Sequence, residues 1–188
     1  MARAYELRKR ADRMADTHRR IVEAAVELHT SIGPGRTSIS AIAERAGVER
    51  HTVYAHFPDR LSLFRACSDH WRELHPFPAV DQLASIEDPR TRLRTGLDAL
   101  YAWYEQVEDD LALIRRDADT VPAEVRATEA QRFGSFRAVL ETGWPRRHAV
   151  RAAIGHALQF ETWRSLSRRE GLSRRAAVEA MLRLAAGG

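Results

Sequence analysis

Four of the eight histidines, one cysteine and an acidic cluster are the residues whose types could do chemistry, and their spacing argues against catalysis. His51 with His56, and His70 with His75, each stand five residues apart. That spacing puts the members of a pair on different sides of a helix, a poor arrangement for one metal ion. Cys67 lies between Phe64 and Trp71 with no activating pattern beside it and reads as a small core residue. The chain has no G-x-S-x-G, no Gly-rich phosphate loop and no H-E-x-x-H. Glu105, Glu108, Asp109 and Asp110 would favour a cationic small molecule, yet acids grouped near a helix end are usually solvated. No metal and no cofactor is expected, and no enzymatic activity.

The chain has 188 residues, 44% apolar and 30% charged, enough for one compact domain or two small ones sharing a core. No stretch approaches the roughly 20 uncharged apolar residues of a membrane span, and the basic N-terminus has no apolar run behind it to make a secretory signal. A single cysteine excludes a disulfide framework and a Cys-rich zinc module. The expectation is a soluble, cytoplasmic protein without a membrane partner. Charge is uneven along the chain. Residues 1–20 carry seven bases (Arg3, Arg8, Lys9, Arg10, Arg13, Arg19, Arg20) against three acids, residues 81–145 eight against thirteen, and residues 146–188 nine against three. Beside an element able to read a polyanion, such a basic head is an electrostatic footprint; alone it is a solvated face.

Almost every element reads as helix, because Ala is abundant, β-branched alternation is missing, and Gly and Pro fall at punctuation points. The stripe Ile21, Ala25, Leu28 and Ile32 predicts a helix over residues 17–31, ended by Gly33-Pro34-Gly35. A short helix follows over 38–46, capped by Thr37 or Ser38, then one over 49–57 beyond Gly47. The next covers 58–74, with Pro58 at its first helical position and Asp59 in its first turn. His75-Pro76-Phe77-Pro78 is the clearest linker. It divides a basic N-terminal arm (1–16) and a head (17–75) from a second helical domain (76–188). In that domain Pro89 opens a helix bearing Leu93, Leu97, Leu100 and Tyr104, residues 123–142 carry Phe133, Phe136 and Leu140, and Gly143-Trp144-Pro145 breaks the chain. Two last helices are predicted over 147–169 and 173–186, hinged at Gly171. The fold class is all-α.

Residues 39–56 fit a helix-turn-helix. Ile42, Ala46, Val48 and Val53 are apolar where two helices share a core, Ala43 is small where they cross, and Gly47 sits where the turn needs a left-handed backbone. The run Thr37-Ser38-Ile39-Ser40-Ala41-Ile42-Ala43-Glu44-Arg45-Ala46-Gly47-Val48, then Thr52-Val53-Tyr54-Ala55-His56-Phe57-Pro58-Asp59-Arg60 and Leu63-Phe64, resembles the TetR family of transcriptional regulators. The likeness covers about residues 17–65; beyond residue 75 it is one of layout only.

The resemblance implies a homodimer that binds double-stranded, palindromic operator DNA, with the second helix of the motif in the major groove. Carried over position by position, it implies base-edge contacts from Arg50, His51 and Thr52 and phosphate contacts from Tyr54, His56 and Arg60. Thr37 and Ser38 would offer hydroxyls and N–H groups to a phosphate at a helix N-terminus. Glu49 stands where the family often has Ser, and His51 where it often has Gly. As an acid near phosphates, Glu49 is repelled unless it accepts from a cytosine amine. The basic arm (Arg3, Arg8, Lys9, Arg10) would add phosphate or minor-groove contacts, or else be a tail without a role.

For residues 76–188 the resemblance implies effector binding and dimerisation, the last two helices packing on their mates as a four-helix bundle. Ala152, Ala153, Ala157, Leu158, Leu172, Ala176, Val178, Ala180 and Leu184 suit that interface or an ordinary core. Trp71, Trp103, Tyr104, Phe133, Phe136, Phe160 and Trp163 suit an effector pocket for an apolar or aromatic small molecule, or plain packing. His156, Phe160 and Trp163 would share one helix face. The expected function is a ligand-responsive regulator, a repressor released by its effector. Two readings stay open beside it: an activator or ligand-blind regulator, and a helical protein-interaction adaptor whose helix-turn-helix no longer reads DNA.

Overall fold

The computed structural model describes the backbone of residues 2–187 and the side chains of residues 5–187; among them there are helices and no strand. The chain forms two compact units. The first joins Met1–His75 to Asp109–Ala127, the second joins Pro76–Glu108 to Thr128–Gly188. Residues 109–127, assigned by the linker position to the domain that begins at 76, thus cluster with the head.

In the first unit α1 spans Ala2–Ser31, followed by a 3-10 turn at Pro34–Arg36, α2 (Ile39–Ala46), α3 (Arg50–His56) and α4 (Arg60–Leu74). Periodicity starts α1 at residue 17, but the helix begins at Ala2, so the basic segment is helical and not an extended arm. The cause is local: residues 2–16 contain no Gly or Pro and are rich in Ala, Arg, Glu, Leu and Lys, all strong helix formers. Arg3 lies outside the described side chains. Asp59, not Pro58, opens α4: it is the N-cap, its carboxylate accepting from the Ser62 N–H at 2.7 Å. α1 packs on α2 and α4. Their shared core holds Ile21, Ala25, Ile42, Ala46, Val53, Phe57 and Leu63, all buried.

Residues 109–127 are stitched to this head by hydrogen bonds. Arg116 donates to the Ile32 carbonyl at 2.8 Å, the Gly35 N–H to Asp117 at 2.9 Å, Arg60 to the Thr120 carbonyl at 2.5 Å, and the Trp71 indole to Asp110 at 2.7 Å. Arg116 and Gly35 hold the Asp117 carboxyl down at about 2. Gly33 has φ 94, and a Cβ there would run into Arg116 and Asp117, so only glycine fits this junction.

The second unit contains α5 (Val80–Ala84) and most of α6 (Pro89–Arg116), which is kinked at Val107 (φ −117, ψ 19). It also holds most of α7 (Ala123–Glu141), then α8 (His148–Ala157), α9 (Phe160–Arg164), a π-helical turn at Ser165–Arg169 and α10 (Arg174–Gly187). The single helix expected over 147–169 is broken between α8 and α9, where Gln159 is extended (ψ 137). No Gly or Pro causes it. The buried hydroxyls of Tyr101 and Tyr104 donate to the carbonyls of Ala157 at 2.8 Å and Leu158 at 2.7 Å, partnering two carbonyls at the break.

Candidate nucleic-acid interface

The helix-turn-helix is built by local rules. The Ser38 hydroxyl accepts from the Ala41 N–H at 3.1 Å and starts α2. Gly47 ends it in the left-handed conformation (φ 63, ψ 43), its N–H closing on the carbonyls of Ala43 and Glu44. A Cβ at Gly47 would lie 2.9 Å from the Arg20 guanidinium. That guanidinium reaches from α1 to donate to the carbonyls of Ala46 and Gly47, a cation at the negative end of α2. Arg45 pairs with Glu27 at 2.7 Å and fixes α2 on α1. Neither role of α1 is visible in the sequence, because the partners lie 26 and 18 positions apart.

α3 is held from below and open above. Val53 is its one buried residue, and Phe57 anchors the chain just beyond it. Arg50, His51 and Tyr54 are exposed, and Thr52 and His56 half-buried. Arg50 donates to the Tyr54 hydroxyl at 3.2 Å and lies 5.7 Å from its ring centre, which pairs two donors on one face. His56 meets His18 of α1 at 6.0 Å between ring centres. Glu49, the N-cap of α3, makes no side-chain cap bond.

The other residues expected to contact DNA differ in what they keep free. The Thr37 hydroxyl donates to the Gly33 carbonyl at 2.9 Å, so its proton is spent inside the head. Ser38, exposed, uses only a lone pair on Ala41 and keeps its proton. Arg60 is turned to the Thr120 carbonyl and stacks 5.1 Å over Phe64.

Beneath this surface, His29 and Cys67 are buried with Sγ and Nδ1 3.5 Å apart. Burial pushes the Cys67 thiol up to about 12 and, aided by the charge on Arg60, the His29 imidazole down to about 4. At neutral pH both are uncharged core groups, so neither is a reactive site.

Of the aromatic residues expected to line a pocket, six fall in the second unit and pack on one another. Tyr104 lies 5.3 Å from Phe160, 5.5 Å from Trp163 and 5.6 Å from Trp103. Phe77 links Trp103 (5.1 Å) to Phe136 (5.0 Å) and Phe133 (6.4 Å); the sequence hides it inside a Pro-flanked linker. The indole N–H of fully buried Trp163 has no hydrogen-bond partner among the described residues. Trp71 belongs to the first unit and is engaged with Asp110. His156 is exposed and stands across the α8–α9 break from buried Phe160 and Trp163, so the three do not share a helix face. Three of the four acids are occupied: Asp110 accepts from the Trp71 indole, Glu105 pairs with Arg174 at 3.0 Å, and Glu108 with Arg168 at 2.7 Å and Arg164 at 3.5 Å, while Asp109 is exposed.

An exposed, donor-bearing helix set on a glycine turn above a three-helix core defines the class of this unit: a helix-turn-helix head. Residues 21–67 match the model of bacterial regulatory proteins of the tetR family, a likeness that covers the head. The HTH-type transcriptional regulator TtgR of Pseudomonas putida is 35% identical over 69 residues, 37% of this chain and 33% of TtgR. The HTH-type transcriptional activator FasR of Mycolicibacterium smegmatis is 28% identical over 190 residues, 96% of this chain and 87% of FasR. The matches at 35% to 37% identity cover between 28% and 44% of those curated relatives' length. Among solved structures, NalD, the secondary repressor of the MexAB-OprM multidrug efflux pump in Pseudomonas aeruginosa, superposes with a TM-score of 0.65 over 94% of this chain and 97% of NalD. At 22% identity that likeness is one of fold.

Proposed function

We propose that the protein is a transcriptional regulator that reads duplex DNA through α3, with Arg50, His51 and Thr52 on base edges and Tyr54, Ser38 and His56 on phosphates. The observation that carries this is that α3 is anchored through Val53 and Phe57 while Arg50, His51 and Tyr54 stay exposed for the major groove. Arg60 joins them if its guanidinium exchanges the Thr120 carbonyl for a phosphate. A homodimer using α8 and α10 would present two such helices to half-sites about 34–36 Å apart; Leu184, 48% exposed on α10, supports that face. An apolar or aromatic effector bound among Trp103, Tyr104, Phe133, Phe136, Phe160 and Trp163 would shift the spacing of the heads and release the operator. Repression relieved by the effector is the reading; activation is the second, favoured by the near full-length match to FasR, which is named as an activator.

The test is selection of a duplex from a random-sequence pool by the full chain, then anisotropy binding to that duplex and to a scrambled one across a salt series. Palindrome-dependent binding with a steep salt slope is expected. Equal, weak binding on both would overturn the proposal.

A further inference from the structure

Helix α1 outruns the head it belongs to. Its buried positions begin at Ile21, and every described side chain from residue 5 to residue 16 is exposed, Tyr5 to 65%, Leu7 to 62% and Met14 to 55%. The helix ahead of residue 17 extends about 22 Å at 1.5 Å per residue.

The order of contacts along α1 gives its direction. Just past its C-terminal end the Ile32 carbonyl receives Arg116, and within it His29 stacks on Phe64 of α4 at 4.9 Å. Glu27 holds Arg45 of α2. Arg20 then reaches the turn before α3, and His18 lies 4.7 Å from Phe57 at the end of α3. Toward its N-terminus α1 therefore leaves residues 109–127 and α4 behind, passes α3 and continues beyond it. Between residues 5 and 14 it carries Arg8, Lys9, Arg10 and Arg13 against Glu6 and Asp12, a charge complementary to phosphate.

We propose that residues 5–14 of α1 are a second DNA-binding surface, a helical strut lying along the sugar-phosphate backbone of the duplex that flanks the site under α3. The proposal rests on the DNA-reading role of α3. At 1.5 Å per residue these ten residues span about 15 Å and cover roughly four base pairs at 3.4 Å each. It carries no base readout, because its cations meet phosphates.

The experiment uses the full chain and a fourfold variant, R8Q/K9Q/R10Q/R13Q, with unchanged helix content by circular dichroism. Each is measured on the selected duplex with ten flanking base pairs on either side and on the same duplex trimmed to the half-site edges. Removal of about four phosphate contacts should lower the salt slope by roughly 3 to 4 and weaken binding to the long duplex tenfold or more at 0.1 M salt. Trimming should weaken the parent chain alone. If trimming weakens parent and variant equally, or the variant keeps the parent's slope, the strut is overturned while sequence-selective binding leaves the α3 reading standing. If the parent selects no sequence at all, the α3 reading falls and the strut with it. A companion variant, L7Q/M14Q, guards the apolar side: if it changes the oligomeric state and the charge variant leaves DNA binding alone, the face is a protein interface and the proposal fails.

Discussion

Lowering the pH from 7 to 4.5 should destabilise the head through one buried group, His29. The imidazole sits against Phe64 and Cys67 at 8% exposure, held at about 4 by burial first and by the charge on Arg60 second. In the unfolded chain it titrates near its ordinary 6.5. The folded pKa is the lower of the two, so the unfolded state binds the extra proton, and stability present above about pH 6.5 is lost as the pH falls toward 4. Between pH 7 and 4.5 those two values integrate to roughly 2.5 kcal/mol. Asp117, held at about 2, loses its contribution below the ordinary carboxylate range and stays outside this window. The assay is urea unfolding of the full chain and of His29→Leu, followed by circular dichroism at pH 7, 5.5 and 4.5. Leucine cannot titrate and keeps an apolar contact on Phe64, so the stability difference between the two proteins should shift by roughly 2.5 kcal/mol in favour of the variant. With an m-value of about 1–3 kcal/mol/M, that is a divergence in midpoint of about 0.8–2.5 M. Parallel loss in both proteins across the three pH values would refute the assignment of acid sensitivity to His29.

Other outcomes follow from the same geometry. His51→Ala should relax specificity at one base position by about 1–3 kcal/mol, read by anisotropy on single-substitution operators; uniform weakening on all of them would make His51 a phosphate contact instead. Glu49→Ser should tighten binding on every operator variant, since Glu49 makes no cap bond and only repels phosphate; loosened selectivity at one base pair would show it accepting from a cytosine. Gly47→Ala should cost about 1–2 kcal/mol, because a Cβ at φ 63 is strained and meets Arg20; an unchanged melting temperature would contradict this. Tyr104→Phe should cost about 1–3 kcal/mol, because it leaves the Leu158 carbonyl buried and unpaired; denaturant unfolding measures it.

The helix-turn-helix was legible because its instructions are local. Ser38 caps the helix that follows it, Gly47 turns the chain where it stands, and Val53 and Phe57 fall at the spacing that buries one face of a seven-residue helix. What escaped was decided by partners far along the chain. Nothing near Leu158 and Gln159 announces a break, since the hydroxyls that accommodate it come from Tyr101 and Tyr104. Phe77 looks like linker because prolines flank it, yet it joins the aromatic cluster of its unit. The basic segment before residue 17 looks like an arm if charge is weighed above helix propensity, and propensity prevailed.

The return of residues 109–127 to the head bears on how such proteins can be cut and recombined. A chimera that grafts residues 1–75 onto a different sensor would strip the carbonyl of Ile32 and the N–H of Gly35 of their partners and uncover the indole of Trp71. A graft that carries the 109–127 segment keeps those bonds, so the transferable module is discontinuous in the gene, and crossovers placed only at the Pro-flanked linker would yield heads that bind poorly for want of folding.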